Sequence, residues 1–169
     1  LAGLGNVLQV YDDHPTQFDA WDVDPFHLET VADCPPAGSC EVLSGGPLRA
    51  EVAFERRVGR AGSMRQVVRL DAGARRLEFH CEADWHESHT MLKVLFPVTV
   101  RSPNATYQMQ FGFTERPTHY STSHDLARYE VPGHRFADLS EHGFGVALLT
   151  DCKYGYSTYG NEMRISLLR

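Results

Sequence analysis

The feature that most constrains the fold of this chain is a period-two alternation of apolar and polar residues, which recurs in short runs along most of its length. In the run LRAEVAFERRV (48–58), one set of alternate positions is apolar: Leu48, Ala50, Val52 and Phe54. Because successive side chains of a strand point to opposite faces of a sheet, this pattern predicts half-buried β-strands. Further strands are predicted at 64–71, 75–83, 90–100, 105–113, 126–131, 143–151 and 163–168.

Short turns rich in Gly, Pro and Asn separate these segments, and strands do not alternate with helices. The segments 64–71 and 75–83 are joined by a tight Ala-Gly-Ala turn, which is typical of a hairpin or meander. The longest helix candidate, 19–32, is interrupted by Pro25 and is of marginal length. We therefore predict an all-β fold, an antiparallel β-sandwich, with residues 1–169 forming a single domain.

Composition limits the classes of function. The chain is 42% apolar and 22% charged, as is usual for soluble globular domains. Its formal charge of −6 repels phosphate backbones, so nucleic acid is not an expected partner. No apolar run is long enough to span a membrane, and the N-terminus does not have the pattern of a signal peptide. We expect a cytoplasmic protein without a membrane partner.

Four cysteines raise the possibilities of a disulfide or a zinc site. Cys34 and Cys40 stand six residues apart in CPPAGSC, which is unlike the CxxC pairs of structural zinc sites. Cys81 and Cys152 lie in apolar, strand-like runs, where a thiol behaves as a small buried hydrophobe. We therefore expect four reduced thiols, two of them in the core, and no metal site.

Two clusters of polar residues could carry chemistry. The first, Asp19-Ala20-Trp21-Asp22-Val23-Asp24, places carboxylates beside an aromatic ring, a combination that favours sugar recognition because the ring covers CH groups and the acids accept hydroxyl protons. The alternative is an acidic loop whose tryptophan anchors it in the core. The second cluster, His86, Glu87 and His89, suggests a metal site or an acid–base site of a cupin-like or mutarotase-like enzyme. Its spacing differs from the helical HExxH motif.

Several long strings, in order along the chain, resemble one enzyme family. They are QFDAWDVDPFHLE (17–29), DWHESHTMLKVLFPV (84–98), ERPTH (115–119), ARYEVPGHRFADLSEHGFGVALLTDCKYG (127–155) and the closing GN..R.SLLR (160–169). Together they resemble the β-rich part of family 38 glycoside hydrolases, the α-mannosidases, particularly the cytosolic, vacuolar and bacterial branch. The resemblance implies a portion of a galactose-mutarotase-like supersandwich and covers nearly the whole chain.

The resemblance implies a parent enzyme that cleaves terminal α-linked mannose with retention, through a covalent mannosyl-enzyme intermediate. The nucleophile, the acid/base residue and the zinc ligands are implied to lie in an N-terminal α/β barrel. This chain contains no HxDxGW-like metal string and both of its ends read as cut, so we expect a fragment without catalytic residues or zinc of its own. Its expected partners are the barrel and other domains of the same chain, and mannosides or oligosaccharides.

Four positions carry over from the family as substrate-binding candidates: Trp21, Asp22, Lys153 and Tyr154. The match is imperfect at Phe18, Phe136 and His124, where the family usually has tryptophan. Three hypotheses therefore stand: a segment that supports a catalytic barrel and lines its mannose site, a free-standing carbohydrate-binding sandwich module, and a small enzyme that uses the cluster at 86–89.

Overall fold

Fourteen strands and two short helical segments form the protein in the computed structural model, which describes residues 1–169. The strands are β1 (Val7–Asp12), β2 (Ala32–Asp33), β3 (Ser39–Gly45), β4 (Arg49–Val58), β5 (Gly62–Asp71), β6 (Glu78–Asp84), β7 (Thr90–Pro97), β8 (Asn104–Met109), β9 (Gly112–Pro117), β10 (Val131–Pro132), β11 (Phe136–Glu141), β12 (Phe144–Leu149), β13 (Gly155–Tyr159) and β14 (Glu162–Leu168). The helical segments are a 3₁₀ helix, Pro25–Glu29, and the α-helix α1, Ser123–Leu126. No helix is both long enough and apolar enough to cross a membrane.

The chain divides into two compact units, residues 1–33 with 89–169, and residues 34–88. The first unit contains a six-stranded sheet in the order β10-β13-β14-β7-β1-β2 and a four-stranded sheet in the order β12-β11-β8-β9. The second unit is a four-stranded meander, β3-β4-β5-β6. All pairings are antiparallel, so the predicted all-β antiparallel fold is confirmed. That residues 1–169 form a single domain stays a prediction.

The core of the first unit lies between its two sheets. Tyr107 of β8 donates a hydrogen bond from its hydroxyl to Thr158 Oγ1 of β13 at 2.9 Å, and its ring meets the edge of Tyr156 at 5.9 Å. The central strand β7 is buried at five consecutive positions, 91–95, which explains its nearly unbroken apolar sequence. The strand next to it, β1, buries Leu8 and Tyr11.

Two strand predictions are wrong in detail. Residues 126–131 form the end of α1, a turn and the start of β10, because Thr122 and Asp125 exchange side-chain and backbone hydrogen bonds in a capping box. Residues 105–113 form two strands, since the chain reverses at Gln110-Phe111 and Phe111 adopts a positive φ of 60°. In the helix candidate 19–32, Pro25 occupies the first turn of a 3₁₀ helix, and only five residues are helical.

The predicted burial of two cysteines is also wrong. Cys81 lies on β6 and Cys152 lies in the loop after β12, and both are exposed. Strand alternation fixes which residues share a face but not whether a second layer covers that face, and the face at Cys81 is uncovered here. Cys152 lies beyond the last residue of β12, outside the predicted strand. The prediction that all four cysteines are reduced stays a prediction.

Candidate functional site

The loop between β1 and β2 carries the first candidate cluster, and the last residue of the chain anchors it. The backbone N–H of Asp13 donates to the His89 carbonyl at 2.8 Å. The Asp13 carboxylate is buried and accepts two hydrogen bonds from the Arg169 guanidinium, one of them at 3.2 Å. Arg169 also donates to the Asp22 carbonyl oxygen. A single guanidinium therefore ties the start of the loop to the position next to Trp21.

A tight turn presents Trp21 to solvent. The N–H groups of Trp21 and Asp22 both donate to the Phe18 carbonyl, at 2.7 and 2.9 Å, and Phe18 has a positive φ of 58°. The Phe18 ring stacks on the Trp21 ring with centroids 6.3 Å apart. Trp21 is 87% exposed, so the alternative in which it anchors the loop in the core of this chain is wrong. The ring has a free apolar face, which suits contact with a partner or ligand.

Two further contacts fix the second half of this loop. The Tyr129 hydroxyl donates to the Val23 carbonyl. His27 Nδ1 lies 2.7 Å from the Asp24 carbonyl oxygen. The Asp24 carboxylate accepts hydrogen bonds from the Thr16 hydroxyl and from the Thr16 backbone N–H, the latter at 2.8 Å, and the hydroxyl bond contributes most to lowering the pKa of Asp24. The loop is thus held at both ends while its aromatic tip is exposed.

Beneath the loop lies a buried charged cluster of Lys93, Glu130 and His27. Lys93 comes from the centre of β7, its side chain is fully buried, and Nζ donates to Glu130 Oε1 and to His27 Nε2 at 2.9 Å. A carbonyl can only accept, so His27 carries its proton on Nδ1 and accepts at Nε2. The Tyr11 ring adds a cation–π contact, with its centroid 4.6 Å from Nζ.

Burial and charge oppose each other in this cluster. Burial lowers the pKa of Lys93 and outweighs the attraction of Glu130. Burial pushes the pKa of Glu130 upward, but the charge and the hydrogen bond of Lys93 hold it below its ordinary value. Lys93 and Glu130 form a salt bridge, and the contact of Nζ with His27 holds the 3₁₀ helix against β7.

Lys153 and Tyr154 precede β13. The Lys153 N–H donates to Thr150 Oγ1 at 3.1 Å, and the Tyr154 carbonyl accepts the Gly133 N–H at 3.0 Å. The Tyr154 ring is 58% exposed and meets the edge of the His134 ring at 5.6 Å. A second exposed aromatic is thus fixed by local contacts at the start of a strand.

The register of the six-stranded sheet brings both candidate pairs to the same end. Asp12 of β1 pairs with Thr90 of β7, Leu168 of β14 pairs with Leu92 of β7, and Tyr156 of β13 pairs with Ile165 of β14. The loop after β1 and the loop before β13 therefore leave the sheet on one side. Three strand spacings of about 4.8 Å separate β1 from β13, or about 14 Å in total. No hydrogen bond, ion pair or ring contact joins Trp21 or Asp22 to Lys153 or Tyr154.

The second polar cluster does not converge. Glu87 Oε1 accepts hydrogen bonds from the backbone N–H groups of Ala61 and Arg60, each at 2.7 Å. These two bonds lower the pKa of Glu87, and the bond from Ala61 contributes most. His86 Nε2 lies 2.9 Å from an Asp84 carboxylate oxygen, and His89 stacks on His14. Glu87 thus closes a turn between strands and is not free to act as an acid or base. No group of three or more His, Cys, Asp and Glu side chains is arranged to hold a metal ion.

Sequence reasoning missed the residues that hold the loop: Lys93, Glu130, Tyr129 and Arg169. One signal was available, since Lys93 is the only charged residue in the run MLKVLFPV (91–98). A lysine in such a strand predicts a buried charge, and a buried charge requires a partner. Its partner, 37 positions away along the chain, could not be identified from spacing.

Comparison with known proteins gives a consistent result. The profile described as "Glycosyl hydrolases family 38 C-terminal domain" matches residues 1–169. The chain is 50% identical over 167 residues to "Alpha-mannosidase 2C1" of Homo sapiens, and 45% identical over 170 residues to "Alpha-mannosidase G" of Dictyostelium discoideum. Each alignment covers 98% of this chain but 16% of the relative, so the chain spans about a sixth of their length.

The fold is also similar to that of solved structures. A crystal structure of an alpha-mannosidase from Enterococcus faecalis V583 superposes with a TM-score of 0.83 at 12% identity, over 98% of this chain and 22% of that one. A second Enterococcus faecalis structure, of a protein in glycosyl hydrolase family 38, gives a TM-score of 0.78 at 11% identity. At these identities the similarity establishes the fold alone.

Proposed function

Because the chain belongs to the family 38 glycosyl hydrolase C-terminal domain family, we propose that it is the β-sandwich part of an α-mannosidase, a retaining hydrolase of terminal α-linked mannose. In this proposal it supports the catalytic barrel of the parent enzyme and lines one side of the mannose site. The observation that carries the proposal is that two exposed aromatic residues, Trp21 and Tyr154, leave the same end of one sheet, each fixed by its neighbours.

The chemistry of a sugar suits this surface. A pyranose ring has an apolar face of CH groups, which the exposed Trp21 ring can cover through apolar contact and dispersion. The Asp22 carboxylate accepts hydroxyl protons and the Lys153 ammonium donates to hydroxyl oxygens. Since the Trp21 turn is already formed, little conformational entropy is lost when a ligand binds.

The catalytic residues and the zinc of the parent are proposed to lie outside this chain. The residues here do not suit a zinc ion, because no three ligating side chains lie together. The buried carboxylate of the Trp21 loop, that of Asp13, is bonded through both oxygens to Arg169. We therefore assign no catalytic step to this chain, and we propose that its role is to position substrate. The parent is proposed to act in the cytoplasm, since exposed cysteine thiols such as those of Cys40 and Cys81 suit a reducing compartment.

The test is Trp21→Ala in the full-length parent, with Phe113→Ala as the matched control. Phe113 is an aromatic residue of the first unit that is also largely exposed, at 69%. We expect Trp21→Ala to lower kcat/KM toward an aryl α-mannoside. The decrease should correspond to a loss of about 1–3 kcal/mol in transition-state stabilisation, as for other apolar pocket contacts. The melting temperature of Trp21→Ala should change no more than it does for an ordinary surface substitution. Phe113→Ala should change neither kcat/KM nor the melting temperature. Equal kcat/KM for Trp21→Ala and the unmodified enzyme would refute the site assignment.

A free-standing carbohydrate-binding module is the second candidate, and the exposure of three aromatic residues within nine positions favours it: Phe18, Trp21 and Phe26. Calorimetric titration of the purified 169-residue chain with methyl α-mannoside separates the two. Binding by the chain alone, weakened by Trp21→Ala, would support the module. Absence of binding and of hydrolysis by the chain, with hydrolysis by the parent, would support the site-lining role.

A further inference from the structure

The meander of the second unit has two faces of opposite character. The register places Glu51, Glu55, Arg65 and Arg69 on one face, where Arg69 pairs with Glu51 and Arg65 lies 4.0 Å from Glu55. The other face, here called the apolar face, carries nine apolar or thiol side chains: Cys40, Val42, Ala50, Val52, Phe54, Val68, Leu70, Phe79 and Cys81. Gln66, which is buried, lies between Phe54 and Cys81 on this face, and Arg56 lies at its end. The charged face therefore carries its own ion pairs, whereas the nine side chains of the apolar face include no charged group.

Much of the apolar face is open to solvent. Val42 is 69% exposed and Leu70 is 43% exposed, and Leu48 and Leu77 at its margin are 80% and 54% exposed. Cys40 and Cys81 are exposed as well. Antiparallel sheets usually keep one solvated face and cover the other, and contiguous exposed apolar surface marks an interaction site.

The size of this surface fits a contact between domains. Three strand spacings and the length of the strands give roughly 15 Å by 25 Å, or roughly 400 Å² on one side. Covered by an equal area, it would bury about 800 Å² in total, within the range of interfaces between domains of one chain.

We propose that another domain of the same polypeptide packs on the apolar face. The occupant is inferred from length: this chain spans 16% of its curated relatives and 22% of the matched solved chain, so family members carry several hundred further residues joined to it. A tethered domain meets a patch of this size at high effective concentration, whereas a separate molecule would need a larger interface. The proposal requires only family membership and does not depend on the sugar-site proposal.

Two native thiols report directly on this surface. Cys40 and Cys81 lie on the apolar face, while their neighbours Glu41 and Glu82 lie on the opposite face. The native full-length parent, and its Glu41→Cys and Glu82→Cys variants, are treated with N-ethylmaleimide, and labelling at each position is timed by mass spectrometry after digestion. We expect Cys40 and Cys81 to react at least about tenfold more slowly than the introduced thiols, because covered residues react only through local opening. In urea all four positions should react at similar rates.

The outcomes decide between occupants. Labelling of Cys40 and Cys81 as fast as the introduced thiols in the native parent would overturn the proposal. Protection that disappears on dilution would also overturn it, because it would identify a second copy as the occupant. Protection that is independent of concentration supports it. In a folded Val42→Asp parent, the buried carboxylate should loosen the contact and raise labelling of Cys81, whereas Glu41→Gln should not.

Discussion

The buried ion pair under the Trp21 loop gives the sharpest prediction. In the full-length parent, Glu130→Gln keeps the shape of the side chain but removes the negative charge that faces Lys93. The Lys93 side chain is 0% exposed, so water cannot replace the lost counter-charge, while Glu130 itself is 14% exposed. Removing one partner of a buried pair costs about 3–5 kcal/mol, and we expect about 3 because His27 and the Tyr11 ring still contact Nζ.

The protein can recover this cost by opening one segment. Detaching the 3₁₀ helix that carries His27 hydrates the Lys93 ammonium, so the variant should open locally at residues 12–30. A shift of about 3 kcal/mol in this opening speeds amide exchange roughly 150-fold, at about tenfold for each 1.36 kcal/mol. The amides that report on it are those of Asp12, Trp21 and Thr30, which donate to Thr30 Oγ1, Phe18 O and His27 O.

Hydrogen–deuterium exchange followed by mass spectrometry measures this, with Glu29→Gln as the control. Glu29 belongs to the same 3₁₀ helix but is exposed. In the Glu29→Gln variant, amide exchange of residues 12–30 should therefore remain close to that of the unmodified parent. Adding Lys93→Met to Glu130→Gln should slow the accelerated exchange by at least about tenfold, roughly 1.4 kcal/mol of coupling, because no charge is then buried. If Glu130→Gln and Glu29→Gln exchange within about threefold of each other, the ion pair does not hold the loop.

Three further predictions concern Glu130, Glu87 and the four cysteines. The pKa of Glu130 lies below its ordinary value of 4.5, so in acid the locally opened form binds more protons than the closed form. Protection of the amides of residues 12–30 should therefore be constant from about pH 5 to 8 and fall below about pH 4.5. A flat profile down to pH 3 would contradict this. Glu87→Ala should speed exchange at Arg60 and Ala61, whose N–H groups lose their acceptor, whereas Glu82→Ala should not, and equal effects would argue against the turn-closing role. Alkylation of the denatured, unreduced parent should label Cys34, Cys40, Cys81 and Cys152, and a disulfide at any of them would show that the reducing environment was wrongly inferred.

Local sequence was sufficient for the class of fold and for many of the strands, although it did not predict β1, β2, β3, β11 and β13. Alternation at 48–58 and 64–71 predicted β4 and β5 within two residues of their observed bounds, because side-chain period is a local property of a strand. The strings around Trp21 and Tyr154 also led to the correct family. The failure at 126–131 had a local cause as well, since the capping box of Thr122 and Asp125 was not considered.

The tertiary structure alone decided which residues meet and which faces are covered. Lys93 finds Glu130 across 37 positions, and Asp13 finds Arg169 across 156, so no spacing rule could pair them. The exposure of Trp21 and Cys81 depends on the layers above them, which alternation does not encode. The loops at Trp21 and Tyr154 share one end of the sheet only because β1, β7, β14 and β13 pair in that order. Strand formation is local, whereas strand pairing and layer packing join distant parts of the chain, and these non-local contacts place the candidate site.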